Sequence, residues 1–130
     1  MSLVAVIAGS KSDELHVKKV VDTLTKLGIK NDHAYISAHR NPTELDKYIQ
    51  ESNADVFIAI AGLAAHLPGV IASKTKKPVI GVPINVALGG LDSLLSIVQM
   101  PKGIPVACVA INGTENSAHL ASRILSLKDK

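Results

Sequence analysis

The sequence predicts an α/β fold over residues 1–130: a three-layer sandwich whose five-stranded parallel sheet has the flavodoxin-like order 2-1-3-4-5, in one domain. Three observations predict it. Short apolar runs alternate along the whole chain with stretches whose apolar residues recur at helical spacing. Hydrophobic residues make up 47% of the chain, yet the aromatic ones are only Tyr35, Tyr48 and Phe57, so the core must be Val, Ile, Leu and Ala. That palette suits parallel strands covered on both faces. The connections are short, which forces right-handed crossovers and therefore parallel strands.

Taken in order, Leu3 to Ala8 is a continuous apolar run bounded by Gly9, a buried first strand. Val17, Val20, Val21, Leu24 and Leu27 then mark a helix, closed by Gly28. Ile29 to Ser37 is a second, more polar strand. Pro42 opens the next helix, because its missing N–H would be unpaired in a first turn anyway. Leu45, Tyr48 and Ile49 share one face of that helix. Ala54 to Ala61 forms a third strand with no polar residue after Asp55, hence a central one. A helix of small residues follows from Val70 to Thr75. Pro78 to Val82 is a fourth strand ended by Pro83, and Leu91 to Val98 is a fourth helix. Val106 to Ile111 is the fifth strand, Asn112-Gly113 the turn, and about Asn116 to Leu127 the last helix, with Ala118, Ala121, Ile124 and Leu125 inward.

Composition narrows the function classes. A domain of 130 residues buries roughly two-thirds of its unfolded surface, and its apolar content excludes disorder. Net charge is +3 with the lysines dispersed, and aromatic platforms are missing, which argues against a nucleic-acid partner. Cys108 is the lone cysteine, placed in an apolar run as a buried structural thiol; no disulfide or cysteine metal site can form within one chain. The histidines lack ligand spacing to carboxylates, so no metal is expected. Leu3 to Ala8 is too short for a signal peptide, and no run approaches the ~20 residues of a membrane span. A soluble, cytoplasmic protein with no membrane partner is expected.

The chemistry gathers where strands end. In Tyr35-Ile36-Ser37-Ala38-His39-Arg40-Asn41-Pro42, a strand stops and a helix is about to begin, so His39 and Arg40 occupy the loop edge where open α/β sheets bind ligands. A histidine beside an arginine suggests proton transfer next to an anion. Gly9-Ser10-Lys11-Ser12-Asp13 occupies the equivalent loop after the first strand. Ser10 and Asp13 have capping-box spacing, and the same loop could seat a phosphate on the helix N-terminus. Gly62-Leu63-Ala64-Ala65-His66-Leu67-Pro68-Gly69 follows the third strand; its small residues serve tight packing or a pocket wall, and His66 a turn or the site. Asn85 to Gly90 has the glycines of a mobile lid. Neither a GxGxxG nor a Walker A sequence is present, which argues against dinucleotides and ATP hydrolysis. These features reach a phosphate-bearing small molecule and a proton-moving histidine, with the reaction type open.

Four segments in order, Gly9-Ser10-Lys11-Ser12-Asp13, Ser37-Ala38-His39-Arg40, Ala64-Ala65-His66-Leu67-Pro68-Gly69 and Asp92 to Pro101 (ending Val98-Gln99-Met100-Pro101), resemble the PurE family over nearly the whole chain. Arg40, the His-Leu-Pro-Gly segment and the Val-Gln-Met-Pro segment are similar to class I members, N5-carboxyaminoimidazole ribonucleotide (N5-CAIR) mutases of purine biosynthesis. Class II relatives instead carboxylate aminoimidazole ribonucleotide (AIR) with carbon dioxide. The resemblance implies a carboxyl transfer from N5 to C4 without metal, ATP or biotin, in a homo-octamer. It implies His39 as the proton-transfer residue, Ser10, Ser12 and Asp13 on phosphate and ribose, and Arg40 on phosphate. Ser37, Gly62, Ala64, His66 and Leu67 are implied to line the base and carboxylate pocket. Leu63 departs from the family's usual glycine, the Asn85 to Gly90 loop is one residue short, and Asn116-Ser117-Ala118 replaces Asn-Ala-Ala. Many relatives also carry a tail after the last helix. The competing expectations are an AIR carboxylase and a non-catalytic nucleotide-binding module.

Overall fold

The computed structural model describes residues 2–129. Five parallel strands, β1 (Leu3–Ala8), β2 (Lys30–Tyr35), β3 (Val56–Gly62), β4 (Val79–Ile84) and β5 (Ala107–Cys108), lie in the order β2-β1-β3-β4-β5. The connecting helices are α1 (Glu14–Lys26), α2 (Pro42–Glu51), α3 (Leu67–Lys74) and α4 (Leu91–Val98), with α5 (Thr114–Ser126) closing the fold. The fold class and strand order are those the sequence predicts.

Period-two alternation explains why the central strands are apolar throughout. Val4, Val6 and Ala8 of β1 and Val56, Ile58 and Ile60 of β3 face α1 and α5, meeting Val17, Val20, Leu24, Ala118, Ala121 and Leu125. The residues between them, Ala5, Ile7, Phe57 and Ala59, face α2, α3 and α4, meeting Leu45, Ile49, Ile71 and Ile97. Gly81 lies where that second layer presses closest. A Cβ there would fall 2.5 Å from Ile97 Cγ2 and 3.3 Å from two carbons of Pro68.

Several boundaries differ from expectation, each for a physical reason. β4 runs through Pro83 instead of stopping before it. In a parallel strand a residue's N–H and C=O point to the same side, and the Pro83 carbonyl accepts from Asn112 N–H at 2.7 Å, on the β5 side. The β5 ladder has ended there, so the absent proline N–H leaves no ladder bond unmade. β5 itself keeps two residues of the expected six-residue run. It pairs on one side only, and Gly113 N–H closes a turn on the Ala110 carbonyl (2.8 Å), taking the last residues out of extended geometry. β2 stops at Tyr35, and α3 begins three residues early, with Pro68 in its first turn. Cys108 is only partly buried, because an edge strand leaves one side open; burial still pushes its thiol pKa up. Among the described residues no helix is long and apolar enough to cross a membrane.

Candidate active site

Three loops meet at the carboxyl ends of β1, β2 and β3, around the switch point of the strand order. After β1, Ser10 is extended, and its Oγ accepts from the Ser12 N–H (3.2 Å) and the Ser12 hydroxyl (2.9 Å). The reciprocal capping box suggested by spacing does not form: Ser10 serves Ser12, and the Asp13 side chain makes no cap bond. The Asp13 carboxylate is therefore left facing the cavity. Partial burial raises its pKa above the ordinary 3.8, against the opposing pull of His16 one turn on. Such a carboxylate is suited to accept from neutral hydroxyls, whereas the serine hydroxyls and open helix start suit an anion.

After β2, Ile36 N–H still bonds the Ala8 carbonyl (2.9 Å), which keeps the loop registered on β1. Ser37 folds the chain back: its Oγ accepts from Arg40 N–H (3.1 Å) and its carbonyl from Asn41 N–H (2.9 Å). That turn presents His39 and Arg40 together. The Arg40 Nη2 donates to the Gly9 carbonyl at 3.1 Å, so the guanidinium is tied to the first loop with further donors exposed for a ligand.

The third loop carries Gly62 to His66 into α3. His66 is placed both at the turn and beside His39. It stands at the turn into α3, its carbonyl accepting from Val70 N–H, and its Nδ1 lies 2.8 Å from His39 Nε2. The rings meet edge to face, 4.9 Å apart and at 88°. At that separation one nitrogen carries the proton and the other accepts it. Leu63 has φ 56°, a left-handed conformation that is strained by roughly 1 kcal/mol for a residue with a side chain.

These loops border an open cavity of about 520 Å³. Ser10, Ser12, Asp13, Ser37, His39, Arg40, Gly62, Ala64, His66 and Leu67 all line it. The structure thus brings every site residue picked from the sequence to one place. It adds Val86, from the segment read as a lid, which rests on Gly62: a Cβ there would fall 2.6 Å from Val86 Cγ2. No motif marked Val86; its position follows from where β4 ends beside β3. A larger hollow of about 770 Å³ lies at the opposite end of the sheet, between the end of α3, the start of β4 and Gly103 to Ala107, and holds no histidine or carboxylate. The Asp, His and Arg side chains favour the first. Among the described residues no group of His, Cys, Asp and Glu is arranged to hold a metal ion.

Comparison with known proteins bears on the family of the chain. The model of one family, AIR carboxylase, matches residues 3–130. The N5-carboxyaminoimidazole ribonucleotide mutase of Methanocaldococcus jannaschii is 54% identical over 128 residues, covering 98% of this chain and 82% of that protein. The mutase of Pseudomonas aeruginosa is 50% identical over 133 residues, again 98% of this chain and 82% of the other. Among solved structures, Treponema denticola PurE superposes with a TM-score of 0.86 at 32% identity, covering 98% of this chain and 82% of that one.

Proposed function

The chain belongs to the AIR carboxylase family, and from that premise we propose that it is an N5-carboxyaminoimidazole ribonucleotide mutase of purine biosynthesis. The observation that carries the reading is identity of 54% to a mutase over 98% of the chain. A cavity in which a histidine, an arginine and a hydroxyl-rich loop converge supports the residue roles.

In these roles Arg40, Ser10 and Ser12 hold the phosphate through charge-assisted and hydroxyl hydrogen bonds. Asp13 accepts from ribose hydroxyls. Ser37, Gly62, Ala64, His66 and Leu67 shape the space for the imidazole and carboxylate, small residues letting the ring lie close to backbone. His39 moves the proton. It protonates N5 of the carbamate; the N5–carboxyl bond breaks, leaving carbon dioxide and AIR. C4 of AIR, enamine-like, attacks the carbon dioxide, and His39 takes the C4 proton as the ring regains aromaticity. Atoms and electrons balance within the substrate and one imidazole, so the step calls for no external co-reactant. An imidazole nitrogen that gives its proton to N5 is left as the acceptor for the C4 proton, so one group can both give and take.

The reading includes a cytoplasmic homo-octamer. Leu88, Leu91, Leu95 and Val98 form an exposed apolar stripe along and just before α4, which supports burial against further copies. The test of the activity is to supply N5-CAIR without bicarbonate and, separately, AIR with bicarbonate. Conversion of N5-CAIR to 4-carboxy-5-aminoimidazole ribonucleotide (CAIR) is expected. Reaction of AIR and bicarbonate alone would make the chain a carboxylase, and binding without either reaction a nucleotide-binding module.

A further inference from the structure

His66 stands between two cavities. Of the described residues it alone lines both the site cavity and a second hollow of about 400 Å³ beside α3 and α4. The other polar side chains of that hollow are Ser73, Ser96 and Gln99, and apart from His66 no titratable group lines it. The Ser73 and Ser96 hydroxyls donate to the Val70 and Asp92 carbonyls at 2.6 and 2.8 Å, which leaves their oxygens as acceptors. On the site side, His66 Nδ1 lies 2.8 Å from His39 Nε2. Each ring therefore has one nitrogen inside the pair and one outside it. His39 Nδ1 is left for a ligand, and His66 Nε2 for solvent.

The proton count of the reaction closes on one imidazole, but the charge on that imidazole swings. Between giving a proton to N5 and taking one from C4, a lone His39 holds one positive charge less than before. Resting on the mutase reading, we propose that His66 relays protons between His39 and solvent in the second hollow, so that His39 stays neutral through both transfers. As His39 Nδ1–H goes to N5, His39 Nε2 takes the proton of His66 Nδ1, and His66 Nε2 takes one from solvent. The N5–carboxyl bond breaks, leaving carbon dioxide and AIR. Once C4 has bonded the carbon dioxide, its proton goes to His39 Nδ1. His39 Nε2–H then returns to His66 Nδ1, and His66 Nε2–H returns to solvent, which regains the proton it lent. A ligand in the site cavity covers the side of His39 that it meets, whereas the hollow gives His66 a second side.

The experiment measures kcat and KM for N5-CAIR in the parent, His66→Gln, His66→Ala and Ser73→Leu, the last filling part of the hollow. Glutamine can hydrogen-bond to His39 but cannot take a proton on one side and give one on the other. His66→Gln and His66→Ala should lose roughly 100-fold in kcat, the scale of a positioned proton-transfer group, with KM within about threefold. Imidazole added to His66→Ala should restore part of the loss, which no merely structural role would allow. Ser73→Leu should slow several-fold while melting with the parent. His66→Gln turning over at the parent's rate overturns the relay, as does a loss confined to KM or a His66→Ala that imidazole does not rescue. An unchanged kcat in Ser73→Leu overturns the route through the hollow. Should His66→Ala fail to fold, His66→Gln decides by its kcat and KM. A parent that does not convert N5-CAIR refutes the mutase reading itself and takes the relay with it, and that result is visible before any variant is made.

Discussion

Two glycines separate the stability of this fold from the working of its cavity under one chemical change, Gly→Ala. At Gly81 a new Cβ would lie 2.5 Å from Ile97 Cγ2 and 3.3 Å from Pro68 Cβ and Cγ. Ile97, Pro68 and Gly81 are all buried, in the layer where α3 and α4 press on β4, so no side chain can swing out. Overpacking of that kind is destabilising by about 1–3 kcal/mol, less the roughly 0.4–1 kcal/mol gained by restricting the unfolded chain. The net loss should be about 1–2 kcal/mol, a fall in Tm of about 4–8 °C for a domain of this size. At Gly62 the new Cβ would lie 2.6 Å from Val86 Cγ2, the tip of an exposed side chain that can rotate away. Stability there should stay within about 0.5 kcal/mol of the parent. Turnover should not. Gly62 lines the space assigned to the imidazole ring, so a methyl there should lower kcat/KM about tenfold, or 1.4 kcal/mol. Urea unfolding and steady-state turnover of both variants test the pair. The reasoning is refuted if Gly62→Ala unfolds as readily as Gly81→Ala, or if it retains the parent's kcat/KM.

Removing the Arg40 guanidinium should be felt first in binding. Arg40→Ala should raise KM roughly 10–100-fold, the 1.5–3 kcal/mol of a hydrogen bond to a charged group, while kcat changes by less than about threefold; an unchanged KM would rule out the phosphate contact. Stability at acid pH should report on Asp55, whose carboxylate accepts from Lys128 Nζ at 2.7 Å and from Leu3 N–H at 3.1 Å. The Lys128 bond first, then the Leu3 N–H, hold its pKa below the ordinary 3.8. A folded pKa below the unfolded one means the stabilisation is present at neutral pH and disappears as pH falls from about 3.8 through the folded value. Because Lys128 is half exposed, the effect is modest. Asp55→Asn should lose about 1 kcal/mol at neutral pH and nothing at the acid end, and a pH-independent difference would contradict the linkage.

What the sequence disclosed about the fold followed burial. The sequence marks Leu3–Ala8 and Leu91–Val98 with their observed ends, because both are bounded by glycine or by polar loop residues and lie where packing sharpens the pattern. Apolar content could not tell an edge strand from a central one, so Val106 to Ile111 reads longer than β5 is. A local rule makes Pro83 a strand end, while the side of the sheet it faces lets β4 continue. The site was legible as three loops because strand ends dictate where they go. The partnership of His39 with His66 was not, since it joins residues 27 apart whose meeting depends on strand order. Val86 and the strain at Leu63 lay beyond any motif: one depends on the end of β4 and the other on a backbone angle.

The central claim is that His39 moves the proton of a mutase. The most direct measurement is conversion of N5-CAIR to CAIR by the parent and by His39→Asn, with ligand affinity measured alongside. The account predicts that the parent turns over without added bicarbonate. The variant should lose turnover while binding the ribonucleotide within roughly tenfold, about 1.4 kcal/mol, of the parent. A His39→Asn protein that turns over at the parent's rate would contradict it.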